Sequence, residues 1–309
     1  MKVLLIGGLG FIGKKFLKKY SHVYDVIIYD RKDEVLKIKG KEQFKNIVLE
    51  EGNVEEQKIF EILTKHKPNV VVHLAALTGL KKCHDNPEKA FKVNVFGTFN
   101  VLNACLKSNS KFIFISSREV YGETLKTKSI ENDPLNPNNV YGVTKMLGEQ
   151  LVTTISQIHG LDYTILRLTN VYGPEGDMYG AQKIIKDALY EKKIRILGGT
   201  QRLNYVYVED VVDLINLVLN DKRSSKQVFN VGSNDTVTIN EYVKNVMDLI
   251  NENVEIEVHP MRETETSNFV PDLTKLKNVL NYSTKISLRE GIDKTIKWYS
   301  ANNNNISNK

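Results

Sequence analysis

A tyrosine and a lysine four positions apart, Tyr141 and Lys145, have the types and the spacing of a proton-transfer pair. If this stretch is helical, the two side chains lie on the same face, one turn apart. A lysine ammonium beside a tyrosine favours the phenolate, so the tyrosine pKa moves from about 10 towards neutrality. Such a base can take the proton of an alcohol while a hydride leaves the same carbon. Because this spacing is common on solvated helix faces, the prediction also needs a cofactor site and an alcohol-binding hydroxyl elsewhere in the chain.

A hydroxyl and a carboxylate that could serve this chemistry stand upstream, in the run Ser116-Ser117-Arg118-Glu119. The apolar segment Lys111–Ile115 predicts a buried strand that ends at these residues. Ligands of open α/β sheets bind beyond the carboxyl ends of the strands. We therefore expect Ser117 and Glu119 to line the same crevice as Tyr141.

A dinucleotide site is indicated at the start of the chain. The run Val3–Ile6 predicts a strand buried on both faces, and the glycine-rich segment 7–13 and a helix follow at once. Glycines permit a tight turn in which backbone N–H groups approach a pyrophosphate, and the helix N-terminus adds partial positive charge. The residues predicted to bind the cofactor here are Gly7, Gly10, Phe11, Ile12 and Gly13.

The choice between NAD and NADP depends on the end of the second predicted strand, Asp25–Tyr29, which leads into Asp30. An acidic side chain about 20 residues after the glycines can accept hydrogen bonds from the adenosine ribose and repels a 2′-phosphate. The neighbouring Arg31 can instead accept that phosphate. The pattern favours NAD, whereas Arg31 is an argument for NADP.

Strands and helices alternate through the first part of the chain, which predicts an α/β fold with a doubly wound parallel sheet. Further strands are predicted at Asn46–Leu49, Val70–Leu74 and Tyr163–Arg167, and helices from about Glu55 and Pro87. Beyond 172 the elements become irregular, with helices at Ala181–Lys192 and Asp210–Asn220 and short strands at Ile194–Leu197 and Gln227–Val231. We assign residues 1–172 to a cofactor-binding domain, 173–301 mainly to a smaller α+β substrate lobe that closes over the crevice, and 302–309 to a frayed tail.

One strand ends in His73-Leu74-Ala75-Ala76. A histidine within an apolar strand is typical of a buried structural residue rather than a catalyst. The two alanines after it are small enough to let a flat ring lie against them.

Composition and charge exclude several classes of protein. The chain has 43 Lys and Arg against 37 Asp and Glu, a net charge of +6 that is spread over the whole length. This distribution is typical of an ordinary solvated surface and does not predict a nucleic-acid partner. Cys83 and Cys105 are the only cysteines, so neither a disulfide framework nor a cysteine metal site is expected. With no apolar run of membrane-spanning length and a strand that begins at Lys2, we expect a cytoplasmic protein without a membrane anchor.

A series of motifs resembles the extended short-chain dehydrogenase/reductases, specifically the NAD-dependent nucleotide-sugar epimerases and dehydratases. The motifs run the length of the chain in the family's order: GGLGFIG (7–13), HLAA (73–76), NVFGT (94–98), SSREVYG (116–122), YGVTK (141–145), RLTNVYGP (167–174), YVYVEDV (205–211) and FNVGS (229–233). Each is weak alone, but their order and spacing together are specific. The resemblance implies a Rossmann domain, a nucleoside-diphosphate sugar as substrate and a homodimer.

Matched residue by residue, the resemblance implies Tyr141 as the base, Lys145 on the nicotinamide ribose and Ser117 on the reacting hydroxyl. Asn170 and Arg262 fall where the family contacts the sugar-nucleotide pyrophosphate, and Asn94 and Thr98 where it fixes loops beside the cofactor. The further cofactor residues are Asn53, Val54, Leu74, Ala75, Ala76 and Asn94, and the further substrate residues are Thr78 and Arg202.

The chain also departs from the family pattern. Asn53 replaces the usual acid near the adenine and can still form hydrogen bonds there. Leu203 and Asn204 stand where an Arg-Asp pair is common, and the adjacent Arg202 points to the opposite face if the segment is extended. The most informative departure from a plain 4-epimerase is the pair Arg118-Glu119.

Glu119 decides between two reactions that both begin by oxidising the sugar C4 hydroxyl. A 4-epimerase returns the hydride to the other face, whereas a 4,6-dehydratase needs a carboxylate to remove the C5 proton before water leaves C6. Dehydratases and decarboxylases of the family resemble this chain in carrying Glu at position 119, but one dehydratase class also has an acid at 118. Because Arg118 cannot donate a proton at neutral pH, the sequence favours an epimerase such as a UDP-glucose 4-epimerase, with a dehydratase next. An ion pair of Glu119 with Arg118 or with a loop lysine is an equally good interpretation of this residue.

Two other classes stay open. A reductase that releases its NAD(P)H would use the same residues. A redox-inactive regulator on the same fold would be expected to lose the tyrosine or the lysine, and this chain keeps both.

Overall fold

The computed structural model describes residues 1–41, 44, 47–124, 126–176, 180–251, 253–261 and 266–302. The strands are β1 (Lys2–Ile6), β2 (Asp25–Asp30), β3 (Val48–Glu51), β4 (Val70–His73), β5 (Lys111–Ser117), β6 (Tyr163–Leu168), β7 (Asn170–Tyr172), β8 (Lys193–Leu197), β9 (Arg202–Tyr207), β10 (Gln227–Val231), β11 (Thr236–Thr238) and β12 (Glu255–His259). The α-helices are α1 (Phe11–Tyr20), α2 (Lys32–Ile38), α3 (Lys58–His66), α4 (Leu80–Asp85), α5 (Pro87–Phe91), α6 (Gly97–Ser108), α7 (Val140–His159), α8 (Gly180–Lys186), α9 (Val208–Asn220), α10 (Ile239–Ile250), α11 (Thr274–Leu280) and α12 (Leu288–Ala301).

The large sheet has seven strands in the order β10-β6-β5-β4-β1-β2-β3, and all its pairs are parallel. This confirms the predicted doubly wound α/β fold. The strand order reverses direction at β1, which pairs with β2 on one side and β4 on the other. A crevice therefore opens beyond the carboxyl ends of β1 and β4, at the position where such sheets bind ligands.

Helices cover both faces of this sheet because the side chains of each strand alternate between two cores. Along β1, Val3 and Leu5 pack with residues of α1 and α9, whereas Leu4 and Ile6 pack with residues of α3, α6 and α7. All four side chains are fully buried. The continuous apolar run in the sequence is therefore a strand buried on both faces, as predicted.

A smaller lobe contains a three-stranded sheet, β11-β9-β7, and a two-stranded sheet, β12-β8. Its core is rich in tyrosine: Tyr205 and Tyr242 have ring centres 4.7 Å apart, and Tyr172 and Tyr207 pack against each other edge to face. At least three elements from the range 173–301, namely β10, α9 and α11, pack with the large sheet rather than with this lobe. β10 is the edge strand of the large sheet and α9 packs on α1, so the chain returns to the first domain after entering the lobe.

Several element boundaries differ from the sequence prediction. The strand predicted at 46–49 spans Val48–Glu51, because its register is set by pairing with β2; residue 46 lies outside the described residues. The helix predicted from Glu55 begins at Lys58, and the helix predicted at 181–192 is α8 followed by a π-helical turn, Asp187–Glu191. In the part of the chain that the structure describes, no helix is long and apolar enough to cross a membrane.

Candidate active site

The helix that carries Tyr141 and Lys145 is α7, and its first turn is fixed by Asn139. The Asn139 side chain caps the helix by accepting a 2.8 Å hydrogen bond from the Gly142 backbone N–H. Gly142 also lies against the backbone of Glu119, where a Cβ atom would come within 2.4 Å of the carbonyl oxygen. A glycine at this position therefore lets the start of α7 approach the loop after β5.

Tyr141 lines the cavity, and its pKa is raised above the ordinary tyrosine value. Burial is the main cause, and the nearby Cys83 thiol and Glu119 carboxylate add to it, whereas a hydrogen bond with Ser117 opposes it. The sequence predicted the opposite direction, towards neutrality, from the lysine alone. That prediction is wrong, because burial, which is the main cause, and the nearby Cys83 and Glu119 side chains disfavour the phenolate. The hydrogen bond does place Ser117 beside the tyrosine, as expected.

Lys145 is buried and held by one defined contact. Its Nζ atom donates a 2.8 Å hydrogen bond to the Ile115 carbonyl of β5, and it lies 5.9 Å from the centre of the Tyr141 ring. Burial lowers the pKa of Lys145 to about 8. The side chain is therefore mostly an ammonium at neutral pH and places a positive charge beside the phenol.

A buried ionic network fixes the end of β5. Arg167 of β6 donates hydrogen bonds of 3.0 and 2.7 Å to the Glu149 carboxylate of α7, and a further one of 2.7 Å to the Tyr121 hydroxyl. Glu149 in turn accepts a 2.5 Å hydrogen bond from the Ser116 hydroxyl. Because β5, β6 and α7 all contribute, the network holds Ser117 and Tyr141 in a fixed relation.

Both oxygens of the Glu119 carboxylate have partners. Oε1 forms an ion pair with Arg118 Nη2 at 2.8 Å, and Oε2 accepts a 2.9 Å hydrogen bond from Asn139 Nδ2. Asn139 thus joins the cap of α7 to the acidic residue of the site. The ion-pair interpretation of Arg118 and Glu119 is confirmed.

The glycine loop has the close backbone packing that a dinucleotide site requires. Gly7 adopts a φ of +75°, and a Cβ there would lie 2.6 Å from the Ala75 backbone nitrogen. Asp30 accepts 2.8 Å hydrogen bonds from the backbone N–H groups of Leu9 and Arg31, and burial raises the pKa of its carboxyl. These residues fit a bound NAD: the backbone of the loop faces the crevice, and the carboxylate ends β2 beside it.

The Arg31 side chain lines the cavity but also pairs with two acidic neighbours. Its Nη2 atom lies 3.3 Å from carboxylate oxygens of both Asp33 and Glu34. A guanidinium shared between two carboxylates is a poorer partner for a ribose 2′-phosphate, which agrees with the preference for NAD.

Asn94 and His73 support the site without reaching the cavity. Asn94 lies in a π-helical turn, Lys92–Phe96, and ties the loop after β4 to α7 through hydrogen bonds with the backbone of Leu77 and with Thr144 Oγ1. His73 is buried, its Nε2 atom lies 3.0 Å from Thr98 Oγ1, and burial lowers its pKa to about 3. Asn94 therefore fixes a loop, and His73 is a structural histidine as the sequence indicates.

One cavity of about 1440 Å³ brings most of the predicted site residues together. Those that line it are Gly7, Gly10, Phe11, Ile12, Gly13, Asp30, Arg31, Asn53, Val54, Leu74, Ala75, Ala76, Thr78, Ser117, Glu119, Tyr141, Lys145 and Asn170. Asn94 does not line it. Arg202 is exposed at the start of β9, where strand alternation turns Leu203 and Tyr205 to the cavity and leaves Arg202 outside, contrary to its predicted substrate role. The predicted contact of Arg262 lies outside the described residues.

The lobe contributes lining residues that the sequence did not single out. They include Gln182, Lys183, Arg195, His259 and Thr266. These residues come from separate, irregular elements, and no spacing in the sequence relates them to the motifs of the first domain. Among the described residues no cluster of His, Cys, Asp and Glu has the arrangement of a metal site.

Comparisons with known proteins identify the family. The model of the NAD-dependent epimerase/dehydratase family matches residues 3–232. A putative UDP-glucose 4-epimerase of Methanocaldococcus jannaschii is 31% identical to this chain, over 97% of this chain and 99% of that protein. A UDP-N-acetyl-α-D-glucosaminuronate decarboxylase of Bacillus cytotoxicus is 30% identical, over 96% of this chain and 97% of that protein. The crystal structure of a UDP-glucose 4-epimerase from Thermotoga maritima with UDP-glucose is 30% identical, with a TM-score of 0.89 over 97% of this chain and 99% of that one. The chain belongs to the NAD-dependent epimerase/dehydratase family, as the sequence motifs predict.

Proposed function

We propose that the protein is a nucleotide-sugar 4-epimerase that uses NAD and resembles the UDP-glucose 4-epimerases. The observation that carries this proposal is the state of Glu119. Both of its carboxylate oxygens are engaged, by Arg118 and Asn139, so the carboxylate that a dehydratase needs as a base is held by two donors. By contrast, Ser117, Tyr141 and Lys145, the residues needed for oxidation of an alcohol, all line the cavity.

In this reaction Tyr141 holds and moves the proton of the substrate hydroxyl. Ser117, which is hydrogen-bonded to the tyrosine, positions that hydroxyl, and Lys145 supplies a fixed positive charge. When bound, the oxidised cofactor supplies a hydride acceptor that itself carries a positive charge. Cationic neighbours favour the phenolate, so they oppose the effect of burial on the tyrosine pKa.

The cofactor would be held by the first domain and the substrate by the lobe. Gly7 and its loop face the pyrophosphate position, Asp30 the adenosine ribose, and Tyr141 and Lys145 the nicotinamide ribose. Lys183 and Arg195 line the lobe side of the cavity, where they pair with Asp187 and Glu257. They are the lobe's candidates for the diphosphate of a nucleotide sugar, and each would have to turn from its acidic partner to bind it. Relatives named as enzymes of UDP-sugars support UDP as the nucleotide.

A lyase is the second candidate, because Glu119 lines the cavity next to Tyr141 and a relative at similar identity is named as a decarboxylase. A 4,6-dehydratase would use Glu119 to remove the C5 proton. That role requires Arg118 and Asn139 to release the carboxylate. The epimerase needs no such rearrangement.

A homodimer is supported by an aromatic surface on α5, the following π-helical turn and α6. Phe91, Phe96 and Phe99 are 41%, 52% and 40% exposed, and the rings of Phe96 and Phe99 stack with centres 6.4 Å apart. Exposed aromatic side chains on neighbouring helical turns are typical of an interaction surface. A second copy of the chain is the partner that we propose.

The direct test is incubation of the protein with UDP-glucose, UDP-galactose and the corresponding dTDP-, GDP- and CDP-sugars, with products identified by NMR. The epimerase proposal expects interconversion of sugars that differ only at C4, without added reductant. Accumulation of a 4-keto-6-deoxy sugar would favour a lyase. Net consumption of NADH or NADPH with a reduced product would favour the reductase class.

A further inference from the structure

The Asn139 side chain is buried between the start of α7 and the acidic residue of the site, and both of its polar atoms are engaged. The residue is 8% exposed. Its Oδ1 atom accepts the 2.8 Å hydrogen bond from the Gly142 N–H, and its Nδ2 atom donates to Glu119 Oε2 at 2.9 Å and to Asn138 Oδ1 at 3.1 Å. Capping a helix needs only the oxygen, since serine and aspartate cap about as well as asparagine. The amide nitrogen therefore points to a second role.

Of the two partners of the Glu119 carboxylate, Asn139 is the one that joins it to α7. Arg118 lies with Glu119 in one 3₁₀ turn, Arg118–Val120, so their ion pair does not by itself fix the turn against the helix. Asn139 instead precedes Tyr141 by two residues and caps the helix on which that tyrosine lies. The Asn139 side chain therefore ties the carboxylate to the helix that carries the phenol.

The groups that face the Tyr141 phenol come from four elements. Cys83 of α4 and Glu119 of the 3₁₀ turn disfavour the phenolate, whereas a hydrogen bond with Ser117 of β5 favours it. Lys145 of α7 places its positive charge 5.9 Å from the ring centre. Burial raises the pKa of the Cys83 thiol to about 11, so this group is uncharged at neutral pH. The Glu119 carboxylate is then the anion that acts on the phenol.

We propose that Asn139 is a positioning residue for proton transfer, which holds the Glu119 carboxylate in one place beside Tyr141 and donates to the oxygen that Arg118 leaves open. The inference rests on the proposed function, in which Tyr141 takes the proton of the substrate hydroxyl. A carboxylate that accepts a charge-assisted hydrogen bond repels a nearby phenolate less than a carboxylate without that donor. Without the Asn139 amide, the phenolate would form at a higher pH.

The test replaces Asn139 by serine, which keeps an oxygen for the cap and removes the amide donor. The pH dependence of kcat/KM is measured with the NAD-loaded protein and UDP-galactose as the probe. We expect the acid limb of the profile, on which Tyr141 loses its proton, to move up by about 0.5–1 pH unit. Asn245→Ser, on α10 of the lobe and outside the lining of the cavity, is the matched control and should leave the limb in place.

A double variant shows whether the effect passes through Glu119. Glu119→Gln removes the charge, so adding Asn139→Ser to it should move the limb no further. An equal shift in that background would mean that Asn139 acts through the cap or the fold, and it would overturn the inference. A limb at the wild-type pH in Asn139→Ser would do the same. If Asn139→Ser does not fold, Asn139→Asp, which caps equally well and sets a second carboxylate facing Glu119, must move the limb up by at least as much.

Ionisation of the phenol can also be followed without turnover. The measurement is the ultraviolet difference between each NAD-loaded protein and its Tyr141→Phe derivative as the pH is raised. The midpoint should be higher in Asn139→Ser than in the wild type. If no nucleotide sugar is turned over, the proposed function fails, and this titration still decides the inference, because an unchanged midpoint overturns it.

Discussion

The Lys145 ammonium lies 5.9 Å from the centre of the Tyr141 ring, so a positive charge is fixed beside a buried phenol. Its hydrogen bond to the Ile115 carbonyl ties that charge to the strand that ends at Ser117. Burying an ammonium costs free energy, which is why the pKa of the lysine falls. A residue kept at such a cost is better explained by chemistry than by packing, and the first two predictions test this.

Tyr141→Phe should leave the fold and NAD binding intact, because only one hydroxyl is removed. Turnover should fall by about 10²–10⁴, the range of general acid–base catalysis. Ser117→Ala should follow the same pattern with a smaller loss. The measurements are steady-state kinetics and a calorimetric NAD titration, with Tyr163→Phe on β6, outside the cavity, as the control. Wild-type turnover in Tyr141→Phe would remove the tyrosine from the mechanism.

Lys145→Met should stabilise the fold at neutral pH while lowering turnover. The pKa of the lysine is about 8 in the folded protein and about 10.4 in an unfolded chain. Below pH 8 the residue is charged in both states, and the full cost of burying the charge opposes folding. Removing it should raise the free energy of unfolding at pH 7 by about 1–3 kcal/mol, allowing for the lost bond to Ile115.

The pH dependence gives the control for this variant. Between pH 8 and 10.4 the unfolded chain binds more protons than the folded one, so wild-type stability rises with pH. The advantage of Lys145→Met in urea unfolding should therefore shrink between pH 7 and pH 9.5. A difference that is independent of pH, or a variant less stable at pH 7, would contradict the assignment of burial as the cause.

These residues also illustrate what the sequence could and could not predict. The glycine loop, Asp30 and the spacing of Tyr141 and Lys145 are local patterns. Their positions in the site follow from the local geometry of one turn, one strand end and one helix, so the sequence could predict them. The direction predicted for the Tyr141 pKa was wrong because the pKa depends first on burial and then on Cys83 and Glu119, all of which are set by tertiary packing. The bridge formed by Asn139 was missed for the same reason.

The sequence also did not predict that the chain returns from the lobe to the large sheet. β10 has an apolar pattern like that of the lobe strands, and only its parallel pairing with β6 assigns it to the first domain. Local patterns predict that a strand exists, whereas its sheet is decided by contacts between residues far apart in sequence.

Asp30→Asn should reduce the preference for NAD over NADP. The substitution removes the charge that repels a 2′-phosphate but retains an oxygen that can accept the Leu9 hydrogen bond. The ratio of the two dissociation constants should narrow by roughly tenfold or more, measured by calorimetric titration of both cofactors. Tighter binding of NADP by the unmodified protein would mean that Arg31 escapes Asp33 and Glu34 and dominates the choice.

For the proposed homodimer, Phe96→Lys should convert dimer to monomer, because it places a charge on the exposed aromatic surface. Sedimentation velocity over a range of protein concentrations measures the change. Val23→Lys, at an exposed valine after α1, should leave the dimer intact. A monomeric wild type, or a dimer that survives Phe96→Lys, would exclude this surface as the interface.

Running the reaction in D₂O distinguishes 4-epimerisation from 4,6-dehydration. The result tests whether Glu119 acts as a base. Oxidation at C4 acidifies the C5 proton, and a dehydratase must remove that proton before water leaves C6. A 4-epimerase that turns its keto sugar over returns the same hydrogen to C4 and exchanges no other carbon-bound hydrogen. Since Arg118 and Asn139 occupy both oxygens of Glu119, we expect no deuterium on carbon in the product.

The same view predicts that Glu119→Gln changes turnover only modestly, because the amide keeps one acceptor for Arg118 and retains the shape of the side chain. Glu88→Gln, at an exposed position on α5, is the matched control and should have no effect. Under the lyase alternative, deuterium enters the product, a 4-keto-6-deoxy sugar accumulates and Glu119→Gln nearly abolishes the reaction. Deuterium at C3 or C5 without loss of water would instead indicate epimerisation through an enolate. Mass spectrometry and NMR of the product distinguish these three results by whether deuterium is on carbon and by whether water has been lost.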